Sequence, residues 1–132
     1  MHALIIEDDE LIAMVIEDAL RGCGFTSFDL AVSLDEAVAA ARKRCPNLIT
    51  ADVELKPGSG IDAVQTICSQ APIPVVFITG QADIARSQMP QHPALNKPFR
   101  VREVEAAVRR CATRVACGAE TRRTSTPRWR RL

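Results

Sequence analysis

The chain has 132 residues, 47% of them hydrophobic and 25% charged, with a formal net charge of +1. This length and apolar content suit one domain with a single sizeable core, and they exclude a disordered, collagenous or strongly polybasic chain. The charge is uneven: residues 118 to 132 set Glu120 against Arg122, Arg123, Arg128, Arg130 and Arg131, a balance of +4 that leaves −3 for the body.

From Ala3 to about Val115, short apolar runs alternate with amphipathic patterns, as in a parallel sheet flanked by helices. Ala3-Leu4-Ile5-Ile6 is the first predicted strand, apolar enough for a sheet centre covered on both faces. A helix follows from about Glu10, with Ile12, Ile16 and Leu20 at four-residue steps, and stops near Gly22 and Gly24. The second strand is predicted from Phe28 to Val32. Ser33-Leu34-Asp35-Glu36 then offers a capping box for a helix that ends at Pro46. Leu48-Ile49-Thr50-Ala51 forms the third strand and delivers Asp52 at its end. Pro57-Gly58-Ser59-Gly60 turns the chain into a helix carrying Ile61, Val64 and Ile67. Pro74 to Ile78 is the fourth strand, ending in Thr79-Gly80. Pro90 and Pro93 limit the next helix to a short piece around Ala82 to Met89. A short strand, Ala94 to Asn96, precedes Lys97-Pro98-Phe99. The last helix carries Val101, Val104, Val108, Cys111 and Val115 as one apolar stripe for packing on the sheet.

Five cysteines (Cys23, Cys45, Cys68, Cys111, Cys117), odd in number and without a C-x-x-C pair, suggest neither a disulfide framework nor a zinc site. A reducing cytoplasm is the simpler inference. No leader pattern and no apolar run near the ~20 residues of a membrane span is visible, so a soluble cytoplasmic protein with no membrane partner is expected. The segment 118–132 is rich in Thr, Ser, Pro and Arg and is expected to be a basic, disordered tail after a domain spanning 1–117. The alternative is a contact segment, Trp129 among arginines, for an acidic partner or nucleic acid. Nothing else in the chain supports nucleic-acid binding.

In an open parallel sheet the functional cleft lies at the carboxyl ends of the strands, near the point where strand order reverses. Glu7-Asp8-Asp9, Asp52, Thr79-Gly80 and Lys97-Pro98 all fall at such ends. Clustered carboxylates repel one another unless a cation neutralises them, and hard oxygen ligands suit Mg²⁺. A lysine and a threonine hydroxyl beside them complete the parts for phosphoryl transfer, with Asp52 as nucleophile. Singly, each residue also has a plainer role: Asp52 as a turn residue, Glu7 or Asp8 as a helix cap, Thr79 satisfying a backbone group, Lys97 as a solvated charge. Glu54 is placed at the rim, where it repels phosphate, orders an attacking water or simply faces solvent.

With Glu7-Asp8, Asp52, Thr79 and Lys97-Pro98-Phe99 in this order, residues 3 to 116 resemble the receiver domain of bacterial two-component response regulators. The stretches Leu4–Met14, Ala51–Val64 and Phe77–Gly80 are similar to receivers of the alphaproteobacterial general stress response, including those fused to a sigma-factor-like domain. The resemblance implies a flavodoxin-like (βα)5 fold, a doubly wound parallel five-stranded sheet, with the short or irregular fourth helix noted above. It implies that Asp52 accepts a phosphoryl group from a histidine kinase or histidine phosphotransfer protein. Mg²⁺ would be held by Asp8, Asp52 and the backbone carbonyl of Glu54, with Glu7 acting through water. Lys97 would bind a phosphoryl oxygen across a cis Lys97-Pro98 bond, and Thr79 with Gly80 would form the switch. The family often places an aromatic residue three positions before the lysine, where this chain has Ala94. The output surface is therefore expected on the fourth helix, its loops and the fifth strand.

The expected protein is a receiver with no output domain of its own, since Met1 opens onto strand one and the tail is short. It would catalyse only its own phosphorylation and dephosphorylation, and signal through an unknown downstream protein or a phosphorylation-dependent dimer. Two rivals are an aspartyl-phosphate phosphohydrolase, which generally places D-x-D after its first strand, and a receiver-shaped binding module that is not phosphorylated.

Overall fold

The structure, a computed structural model, describes residues 1–55, 58–69 and 71–119, with residues 112–119 described by their backbone alone. Pro57 of the predicted turn, the side chain of Val115 and the basic segment 120–132 therefore lie outside the described residues.

β1 (His2–Ile6) is buried along its whole length, as an apolar run covered on both faces requires. Its neighbours are β2 (Ser27–Ala31) and β3 (Leu48–Ala51), and the sheet continues through β4 (Val75–Thr79) and β5 (Ala94–Asn96). All pairings are parallel and the strand order is β2-β1-β3-β4-β5, so the sheet reverses direction of growth between β1 and β3. This is the predicted doubly wound fold.

Five helices cover the two faces. α1 (Glu10–Gly22) and α5 (Val101–Ala119) share one face, where Ile16, Leu20, Val104 and Val108 pack on Ile5, Val76 and Ile78. α2 (Leu34–Lys43), α3 (Gly60–Cys68) and α4 (Ala82–Gln88) share the other, where Ala37, Ile61, Val64 and Ala85 pack on Leu4, Ile49 and Phe77. The caps follow sequence chemistry. Asp9 accepts from the N–H groups of Leu11 and Ile12, and Ser33 from that of Glu36, the first half of the predicted capping box.

The differences from expectation are local. β2 begins one residue early and ends at Ala31, because its register pairs His2 with Ser27 and Ile6 with Ala31. α2 stops at Lys43, not Pro46, as Arg44 turns to extended backbone (φ −147°, ψ 115°) while its N–H still bonds Ala40 O. In α5 the stripe is Val104, Ala107, Val108 and Cys111; Val101, in the first turn, is exposed. α4 is seven residues long, as the prolines after it demand, and Arg86 Nη2 donates to Ala94 O at 3.0 Å, tying it to β5.

Among the described residues, one buried side-chain polar atom is unsatisfied. The Thr50 hydroxyl, in the middle of β3, has no hydrogen-bond partner although its residue is 1% exposed. An unpaired buried hydroxyl is costly, so Thr50→Val, which keeps the shape and removes the hydroxyl, should stabilise the fold by about 1 kcal/mol. A urea midpoint that fails to rise in that variant would show that the hydroxyl is satisfied in solution.

Candidate functional site

Strand register brings the predicted residues together. Asp52 N–H donates to Ile6 O at 3.0 Å and Glu7 N–H to Ala31 O at 2.9 Å, which aligns the ends of β3, β1 and β2. On the other side, Lys97 N–H donates to Thr79 O at 3.0 Å, which fixes the lysine beside β4. The Lys97–Pro98 peptide is cis. Glu7, Asp8, Asp52, Thr79 and Lys97, from four strand ends, thus meet at one edge of the sheet.

Lys97 is the hub. Its ammonium donates to Glu7 Oε1 and to Asp52 Oδ2, the latter at 2.7 Å. Asp52 is buried, and its second oxygen, Oδ1, accepts from Glu54 N–H at 3.1 Å. Burial pushes the Asp52 carboxyl upward. Hydrogen bonds from Lys97 and the Thr79 hydroxyl, with the nearby ammonium charge, outweigh that and hold it below the usual carboxylate range. Asp52 is therefore ionised, as a nucleophile must be. Lys97 shows the reverse balance: burial lowers its pKa, but Asp52 and Glu7 raise it further, so it stays charged.

Glu7 differs. Burial raises its pKa to about 7, against the lowering influence of Lys97. Its neighbour Asp8 is exposed and donates its N–H to Glu7 Oε2 at 3.1 Å. Glu7, Asp8 and Asp52 each offer a carboxylate oxygen, and these oxygens lie within 4.8 Å of one another. Three carboxylates facing one ammonium leave negative charge uncompensated, and the all-oxygen donor set fits a magnesium ion.

Glu54 does not stand free at the rim. Its carboxylate accepts from the side-chain amide of Gln81, and its backbone pairs with Ser59 across the loop. Gln81 is the N-cap residue of α4 and makes no side-chain cap; its own N–H donates to Thr79 Oγ1 at 3.1 Å. The predicted switch residue Thr79 is fully buried, and Gly80 beside it is exposed, with nothing within 4 Å of where a Cβ would lie. Gln81 was missed in the sequence because only its place after Thr79-Gly80 marks it.

Gly60 was read as a turn residue and has a stricter role. A Cβ there would lie 1.8 Å from Asp52 O, closer than any real contact, so the first residue of α3 must be glycine for the helix to abut the Asp52 backbone. Gly60 N–H also donates to Val53 O at 3.0 Å, closing the loop at its base.

The raised Glu7 pKa has a pH consequence. Between about pH 4.5 and 7 the unfolded chain has lost the Glu7 proton while the folded, metal-free protein retains it. Folding stability from this group therefore falls as pH rises through that window. Asp52, whose pKa is lowered, contributes with the opposite sign and only at more acid pH. Glu7→Gln should remove the loss, so its stability relative to the parent should climb from pH 4.5 to 7 in chelator. A constant offset at every pH would show that Glu7 does not titrate there.

Comparison with known proteins agrees with this geometry. The family model described as response regulator receiver domain matches residues 3–109. The phyllosphere-induced regulator PhyR of Methylorubrum extorquens is 38% identical over 109 residues, covering 80% of this chain and 41% of that protein. Among solved structures, the receiver domain of Erythrobacter litoralis PhyR superposes with a TM-score of 0.73 at 36% identity, covering 85% of this chain and 89% of that one. The anti-anti-sigma factor PhyR of Bartonella quintana gives 0.76 at 34% identity, covering 91% and 50%. The chain spans about half the length of the curated relatives it matches. No helix among the described residues is long and apolar enough to cross a membrane.

Proposed function

Since the chain belongs to the response regulator receiver family, we propose that Asp52 accepts a phosphoryl group from a phosphohistidine donor in a magnesium-dependent reaction. The observation that carries this is the ionised Asp52 carboxylate, held by the Lys97 ammonium and the Glu54 N–H where Glu7 and Asp8 converge. The donor is a histidine kinase or a histidine phosphotransfer protein.

An Asp52 oxygen attacks phosphorus in line, the phosphorus–nitrogen bond breaks, and the leaving imidazole keeps the bonding pair. Lys97, already within hydrogen-bond reach of Asp52, neutralises charge on a transferring oxygen. Glu54 N–H orients the nucleophile. Asp8, Asp52 and the Glu54 backbone carbonyl would hold magnesium, with Glu7 acting through water. When bound, the ion supplies compensation for the clustered carboxylates and the incoming phosphoryl charge.

In this reading the chain catalyses only its own phosphorylation and dephosphorylation, and residues 1–117 form the receiver. The hydrolase alternative loses ground because the acid at the nucleophile position follows β3, not β1. Output runs through protein contacts in the cytoplasm, as expected of a stress-response relay like that of its PhyR relatives, with a phosphorylation-dependent dimer as one form.

A small phosphodonor with Mg²⁺ should label Asp52 with an acid-stable, hydroxylamine-labile phosphate, and Asp52→Asn should abolish the label. Persistent labelling of that variant would assign the nucleophile elsewhere. No labelling of the parent would favour the unphosphorylated binding module.

Thr79 and Gly80 are the switch. Thr79 Oγ1 holds the Gln81 N–H at the start of α4, so a phosphoryl oxygen that draws the hydroxyl toward it loosens that hold. A bias of about 3 kcal/mol suffices to move such a two-state segment from mostly inactive to mostly active. In the Thr79→Ala variant, beryllofluoride should bind yet leave the amide shifts from Gly80 to Ala94 nearly unchanged. A rearrangement as large as the parent's would move the origin of the switch to Lys97 or the loop after Asp52.

A further inference from the structure

α1 leaves large apolar side chains in solvent. Leu11 is 74% exposed, Met14 62% and Val15 45%. Their spacing puts them on one face of the helix, opposite the Ala13, Ile16 and Leu20 stripe that packs on the sheet. Glu10 and Asp18 flank them, both exposed, and neither is paired with a cation among the described residues; Glu17 is held by Arg21. An isolated exposed leucine has no meaning, but three adjacent apolar residues bounded by free acids form a surface built for a basic, apolar occupant.

We propose that this face of α1 is the docking site of the chain's own C-terminal segment, with Trp129 on Met14 and the surrounding arginines on Glu10 and Asp18. The segment fits in composition. Residues 120–132 hold five arginines, one glutamate, the only tryptophan of the chain and a final leucine, against a body of net charge −3. They also fit in reach. α1 and α5 lie side by side: Glu105 Oε1 would be 3.9 Å from a Cβ on Gly22, so the C-terminal end of α1 meets the first third of α5. α5 continues fourteen residues beyond Glu105 to Ala119, about 21 Å, and Met14 lies about 12 Å back along α1 from Gly22, a path of about 33 Å. The ten residues from Glu120 to Trp129 extend to about 33–36 Å, enough to return along α1. A cavity at the other end of α1, lined by Cys23, Phe25 and Val108, is a poorer seat, because Arg109 also lines it and would repel the segment.

Trp129 reports its own position, since the chain has one tryptophan and no tyrosine. In full-length protein at low salt, its emission should be blue-shifted and resistant to acrylamide. Leu11→Ser combined with Met14→Ser, both at exposed positions, should shift the emission to that of a free indole and raise the quenching constant severalfold, with the far-UV spectrum unchanged. Asp18→Lys alone, or high salt, should move it the same way in part. Three results would overturn the proposal: a free-indole emission in the parent, a buried emission that the α1 substitutions leave in place, or a blue shift that appears only as protein concentration rises. The last would assign the face to a second copy of the chain.

Discussion

One ammonium group holds the functional edge of this molecule together. Lys97 bonds Glu7 and Asp52, which lie 90 and 45 residues away in the chain, so three strand ends are tied at a single atom. Such a cluster is expensive to bury, and its net worth depends on every charge finding a partner. Here the balance is incomplete by design of the donor set: Asp52 stays ionised and Glu7 leans toward its neutral form. The site is therefore electrostatically unfinished, and that is the condition under which added positive charge is drawn to it.

Most of the fold was legible because its strands are short and largely apolar, with β1, β3 and β4 buried along their whole length. β1, β3 and β5 match their predicted runs to within a residue, and Pro90 announced the end of α4. The candidate site was legible for a different reason: acids and a lysine at strand ends have no structural purpose in a hydrophobic layer, so their positions stand out. Contacts made by backbone atoms left no such trace. Nothing in the letters Pro-Gly-Ser-Gly says that the second glycine touches Asp52 O, because that requirement comes from the angle at which α3 meets β3. The Glu54–Gln81 bond was hidden likewise, since it joins two exposed polar residues 27 positions apart across a loop and a helix start. The early end of α2 has a local cause as well: Arg44 leaves helical geometry two residues before Pro46.

The pocket is surrounded by elements of unequal firmness. On the β3 side, Asp52 is braced by Gly60 and by the closed base of its loop. On the β4 side, the start of α4 packs through the buried Ala82 and adds two polar contacts, the Thr79 hydroxyl and the Gln81 amide, next to the exposed Gly80. The two sides of Asp52 are therefore unlike: one is closed by backbone packing, the other by polar side-chain contacts.

α4 itself is constrained by Arg86. Its guanidinium reaches from α4 to the carbonyl of Ala94, so helix and edge strand are stapled to one another. With no bulky side chain at Ala94 to turn over, the pair has few internal ways to change. A displacement of one is therefore passed to the other. A partner covering this surface would meet helix and edge strand as one coupled unit.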